Sequence, residues 1–186
     1  MSHLIDFGGL AEKLFILRHV VHGAHSYCIS EQIGGNQNIG RDFSDEYWSE
    51  LKGLLSNYLI ESAVKIRIVQ DYCRKENSAD ELKEIENRAI EGISLGKVIE
   101  GSFSLTLREA SNKIIHATKT TISLKEFSSN GENFESWDGI YHLHGKFGRE
   151  CWYVELDVEA WAKSMSIYLT YLSDEDKIFY LGQDWS

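Results

Sequence analysis

The chain has 186 residues, a net charge of −10 at neutral pH, three cysteines and no proline. A chain of this length buries roughly two thirds of its unfolded surface in one core without needing disulfides or metals, so one domain over residues 1–186 is expected. The wide, odd spacing of Cys28, Cys73 and Cys151 argues against a disulfide framework and for free thiols in a reducing, cytoplasmic setting. The first residues, Met1-Ser2-His3-Leu4-Ile5-Asp6, lack a basic stretch ahead of an apolar run. No apolar segment approaches the ~20 residues that a membrane helix needs, so neither export nor membrane insertion is expected.

In chain order, a first helix is expected over 10–28, followed by the glycine- and asparagine-rich segment 34–40, which reads as a surface loop. Phe43-Ser44-Asp45-Glu46 has the chemistry of a helix start, with Ser44 or Asp45 as cap. From Trp48 the apolar residues Leu51, Leu54, Leu55, Leu59, Ala63, Ile66 and Val69 recur at three and four, which predicts a long helix over 45–75. A charged helix over 79–91 follows Ser78, and another is expected over 103–117. Beyond Ala117 the pattern alternates at 121–127, 140–144 and 151–156, which predicts three antiparallel strands, the last two joined through Gly145-Lys146-Phe147-Gly148. Asp157 then caps a closing helix over 157–172. The expected architecture is mainly α within an α+β class. It comprises a helical core over about 10–117, a three-stranded meander over about 120–156 and a C-terminal helix.

The segment Leu107-Arg108-Glu109-Ala110-Ser111-Asn112-Lys113-Ile114-Ile115-His116-Ala117 is the most informative in the chain. At about 100° per residue, Arg108, Asn112 and His116 fall on one helical face while Leu107, Ala110, Ile114 and Ala117 gather on the opposite one. It also lies in the one clearly basic window. Residues 96–125 carry five cations against two acids, whereas residues 126–186 carry twelve acids against four bases. Such asymmetry could focus a phosphate locally in a protein whose overall charge argues against dedicated nucleic-acid binding, although a local surplus of three charges is equally within chance.

This segment resembles the signature of the HEPN superfamily, helical nucleotide-binding and ribonuclease domains marked by an Arg, a polar residue, three further residues and a His. Asn112 and His116 keep that spacing, while Ser111 stands where the family has its Arg, and the nearest Arg is Arg108, one turn earlier. The resemblance implies a HEPN-like helical bundle and a homodimer with these faces close together. It also implies metal-independent RNA cleavage, as in bacterial defence or toxin–antitoxin systems. By the same resemblance His116 would take the proton of the ribose hydroxyl, Asn112 would orient the phosphate or the imidazole, and Arg108 would stabilise the phosphate. Lys113 and Ser111 would contact substrate, and no metal or other cofactor would be required.

Three readings of this face stay open: cleavage, binding of an RNA, nucleotide or protein partner without turnover, and ordinary hydrogen bonding to neighbouring elements. Arg108 and His116 lie ~12 Å apart along a helix, so a partner chain's Arg108 or Lys113 is one way to complete a catalytic site. His19, His22 and His25 spread around a helix rather than converging as zinc ligands do. His142 and His144 share one side of a strand, where a metal or phosphate could sit, although the solvent face of the meander is the plainer reading. Trp152, Tyr153, Trp161, Tyr168 and Tyr171 read as core in preference to a base-stacking platform. The chain contains no GxxxxGK[ST], HExxH or GxSxG pattern, which removes support for kinase, metalloprotease and serine-hydrolase chemistry.

Overall fold

The computed structural model describes residues 5–33 and 41–178, with backbone only for 41–44. Helix α1 (Phe7–Ser30) starts at Asp6, whose carboxylate accepts from the Gly9 amide at 2.9 Å. Helix α2 (Arg41–Glu76) is the longest element, and its backbone is already helical ahead of the expected cap at Ser44 or Asp45. Helix α3 (Ala79–Ala89) begins with a reciprocal cap in which Ser78 accepts from the Glu81 amide and Glu81 accepts from the Ser78 amide. Strand β1 (Gly96–Glu100) precedes helix α4 (Leu107–His116), and strands β2 (Lys119–Ser129), β3 (Glu132–Phe147) and β4 (Glu150–Asp157) lead into helix α5 (Val158–Asp174). The segment 34–40, read above as a surface loop, lies outside the described residues.

The expectation of a HEPN-like helical bundle trailed by a three-stranded meander is corrected in two respects. The sheet has four antiparallel strands in the order β1-β4-β3-β2, and it is a full layer against which the helices pack. The missing strand is β1, which pairs with β4 across more than fifty residues of chain, Gly96 opposite Leu156 and Val98 opposite Val154. Five residues are too few for an alternating pattern to stand out, so local sequence carries little trace of β1; its partner does the specifying. The motif helix also starts later than expected. Thr106 caps it by accepting from the Glu109 amide at 3.1 Å, which leaves 103–106 outside the helix.

One apolar core joins the layers. Leu14 and Leu17 of α1, Leu55, Leu59 and Ile66 of α2, Leu107 of α4 and Trp161 and Met165 of α5 are sealed from solvent with Leu143, Val154 and Leu156 of the sheet. Strand residues alternate, so Tyr141, Leu143, Trp152 and Val154 face the helices while His142, His144, Tyr153 and Glu155 take the other side. Of the residues weighed as a stacking platform, Trp152, Trp161 and Tyr168 are core as the spacing predicted, whereas Tyr153, on the other side of the sheet, and Tyr171 are only half-buried. Among the described residues no helix is long and apolar enough to cross a membrane.

Candidate functional site

Helix α4 forms a ridge between two cavities. One, of about 630 Å³, lies between α4, the end of β1 and the β3–β4 hairpin; His116, Lys113, Asn112, Lys146, Phe147 and Cys151 are among its lining. The other, of about 600 Å³, lies between α4, α2, α3 and α5, and takes in Arg108, Arg74, Lys83, Gln70 and Tyr168. Glu109 and Asn112 line both. The expected trio is therefore divided by the helix that carries it. Asn112 and His116 share the hairpin groove, and Arg108 opens into the helical cleft.

Each residue has a local reason for its place. Arg108 gives Nη2 to Asp71 Oδ1 at 2.6 Å, and Arg67 approaches the same carboxylate oxygen at 3.5 Å from one turn earlier on α2. Burial pushes the Asp71 carboxyl up, but the Arg108 hydrogen bond and the charges of Arg67, Arg108 and Arg74 outweigh it and hold the group below its ordinary value. Ser111, where the motif resemblance would have called for an Arg, is fully buried and donates Oγ–H to the Leu107 carbonyl at 3.0 Å. It lines neither cavity, and a guanidinium there would point into the core. Asn112 donates to Glu109 Oε2 at 3.1 Å.

Lys113 is nearly buried, which an apolar-stripe reading of the helix does not anticipate. Its ammonium sits 3.0 Å from Glu109 Oε1, 3.9 Å from the Phe103 ring centre and 4.6 Å from that of Trp152. A desolvated cation is tolerated there because a carboxylate and two ring faces replace its water. Burial raises the Glu109 carboxyl, yet the hydrogen bonds from Lys113 and Asn112, with the charges of Lys113 and Arg67, bring it below its ordinary value. His116 is the last residue of α4 and is exposed to the groove. Directly after it the chain turns into β2, and Thr118 donates its amide to the His144 carbonyl at 2.8 Å.

Sequence reasoning passed over the other wall of this groove. Lys146 and Cys151 face one another across the β3–β4 hairpin, and Phe147 beside them is 82% exposed. The connection expected at Gly145-Lys146-Phe147-Gly148 is mostly strand, since β3 runs to Phe147 and the chain turns at Gly148-Arg149; its approach to the end of α4 depends on strand pairing that no local pattern encodes. Asp71 was also missed, although its spacing of four from Arg67 is a readable helical charge pair.

The remaining histidines among the described residues have ordinary partners. His19 Nδ1 bonds the Phe15 carbonyl at 2.7 Å, His22 meets Glu159 at 3.2 Å, and His25 meets Ser136 Oγ at 3.1 Å. His142 Nδ1 bonds Tyr153 Oη at 2.7 Å, and that hydroxyl donates to Glu155 at 3.1 Å, while the His144 ring stacks on Tyr153. Among the described residues no group of three His, Cys, Asp or Glu side chains converges as a metal site would require. No protein-family model matches this chain, and no curated protein or solved structure matches it.

Proposed function

We propose that this chain is a non-catalytic binding module whose hairpin groove holds a short single-stranded stretch of RNA. The observation that carries this reading is an exposed aromatic ring, Phe147, in the same groove as Lys146, His116 and Asn112, with Glu150 opposite it on β4 and Glu109 held by Lys113. Aromatic faces stack bases while cations track the phosphates, a pairing that suits single strands better than duplexes. The resemblance of residues 107–117 to the HEPN motif supports the same class of ligand. Binding is favoured over turnover because Arg108 is engaged by Asp71 on the far side of α4 and Lys113 by Glu109. Fluorescence anisotropy with a labelled RNA of about ten nucleotides tests it, and Phe147→Ala should weaken binding about tenfold, the usual worth of one stacked base. Equal affinity for single-stranded and duplex RNA, or no saturable binding, would end this reading.

A second reading, metal-independent RNA cleavage of the defence or toxin type, draws on one observation: the His116 imidazole is open to the groove that Asn112 and Lys113 also line. Cleavage in EDTA that falls about 10²-fold in His116→Ala would favour it, the loss expected on removing a general base. Equal cleavage by both proteins would dismiss it. A homodimer belongs to either reading, and Ile60 and Val64, exposed one turn apart on α2, offer apolar surface for a second copy. Light scattering should then return twice the 21.3 kDa of one chain. A partner's Arg108 would have to leave Asp71 before it could serve a shared site.

A further inference from the structure

The helical cleft on the other side of α4 holds charges that the RNA reading does not use. Arg74 on α2 and Lys83 on α3 are exposed at its edge and make no ion pair among the described residues. Arg108 spends Nη2 on Asp71, while its Nη1 is shut off from water without a hydrogen-bond partner among the described residues. Such a group lowers its free energy on meeting an acceptor. Of the two carboxylates that border the cleft, Glu109 has both oxygens committed to Lys113 and Asn112. Glu86 gives one oxygen, at 3.4 Å, to the Arg108 amide and has the other available.

With Glu109 assigned to its own Lys113, and with Arg67 and Asp71 cancelling one another beside the cleft, Arg74, Lys83 and Arg108 stand against Glu86, a surplus of two positive charges. A phosphate monoester carries about −1.5 to −2 at neutral pH, which matches that surplus. Gln70 and Tyr168, each 3% exposed, line the same cleft with neutral polar groups. Burial, with Cys73 and Glu86 adding to it, holds the Tyr168 phenol above its ordinary value, so it remains a hydrogen-bond donor at neutral pH. Glu86 is the piece that a bare phosphate would not need. An acid beside a phosphate site accepts from hydroxyl or amine donors on the same ligand.

We infer that this cleft binds a small phosphate monoester bearing hydrogen-bond donors, the chemistry of a nucleoside monophosphate. Arg74, Lys83 and Arg108 take the phosphate, and Glu86 takes the sugar or base. The site adjoins the hairpin groove along Glu109 and Asn112 but does not depend on the RNA reading. Its volume of about 600 Å³ lies within the range of small-ligand pockets.

The test is a titration of the whole chain with adenosine 5′-monophosphate, adenosine and inorganic phosphate, followed by calorimetry and by amide chemical shifts. The monophosphate should saturate with a dissociation constant of about 1 mM or tighter, and adenosine should bind at least about tenfold more weakly. Arg74→Gln combined with Lys83→Gln should cost at least about tenfold, as loss of charge-assisted hydrogen bonds does. Both side chains are exposed, so the fold is not at stake. Perturbed amides should cluster at residues 74, 83, 86 and 106–109. No saturation by about 10 mM overturns the proposal, as does adenosine matching the monophosphate, or the double variant matching wild type. Shifts confined to 146–151 would assign the ligand to the hairpin groove and also overturn it.

Discussion

Arg108, Lys113 and Glu109 illustrate how a helical face that looks free in sequence is divided by its neighbours. Arg108 pairs with Asp71 and Lys113 with Glu109, and both carboxylates are held below their ordinary values. Carboxyls depressed in the folded state give their full stabilisation above the unfolded-state values near pH 4 and lose it as pH falls through the folded ones. Urea unfolding midpoints should therefore decline steadily below about pH 4.5, and Glu109→Gln should flatten part of that decline. An unchanged slope in the variant would deny Glu109 this role. The cysteines separate by the same logic of burial. Cys28 and Cys73 are sealed, and desolvation pushes both thiols up to about 11, whereas Cys151 is exposed at the hairpin. A thiol-reactive disulfide reagent should modify Cys151 quickly in the native protein and the other two only on unfolding, as counted by mass spectrometry.

Among the elements, β1 is the one whose existence depends most on a partner. Gly96 opens it at φ 136°, and a Cβ there would collide with the Glu155 carbonyl oxygen of β4. Gly96→Ala should cost about 2 kcal/mol or more, because both the backbone conformation and the close strand approach exclude a side chain. The exposed neighbour substitution Lys97→Ala should stay within about 0.5 kcal/mol, and chemical denaturation of the two variants measures the contrast. Equal losses would mean that strand edge packing, not the glycine, sets the cost. The helices behave differently. Each of α3, α4 and α5 has a side-chain cap in its own sequence, at Ser78, Thr106 and Asp157, so its start is locally encoded.

At the scale of the molecule, one apolar core takes side chains from all five helices and from the central strands β3 and β4. A shared core leaves no sub-unit able to retain its packing alone, so unfolding should be cooperative. Helix loss by far-ultraviolet circular dichroism and core exposure by tryptophan fluorescence should follow one denaturant curve, with Trp137, Trp152 and Trp161 reporting from the interior. Separated midpoints would show that the sheet and the helices fold as distinct units.

The helices, the long alternating strands and the polar ridge Arg108-Asn112-His116 were determined by the sequence itself, because helical and strand periodicities and caps are local properties of the chain. Three things were decided only by the tertiary structure. Strand β1 formed because β4 presented an edge for it. Lys113 became a buried cation because Phe103 and Trp152 came from other elements to cover it. The ridge was parted into two cavities because α2 and α3 closed on one side of α4 and the β3–β4 hairpin on the other. Which groups share a cavity depends on contacts between residues far apart in the chain, and those contacts follow from the joint burial of apolar faces, not from the spacing of any one segment.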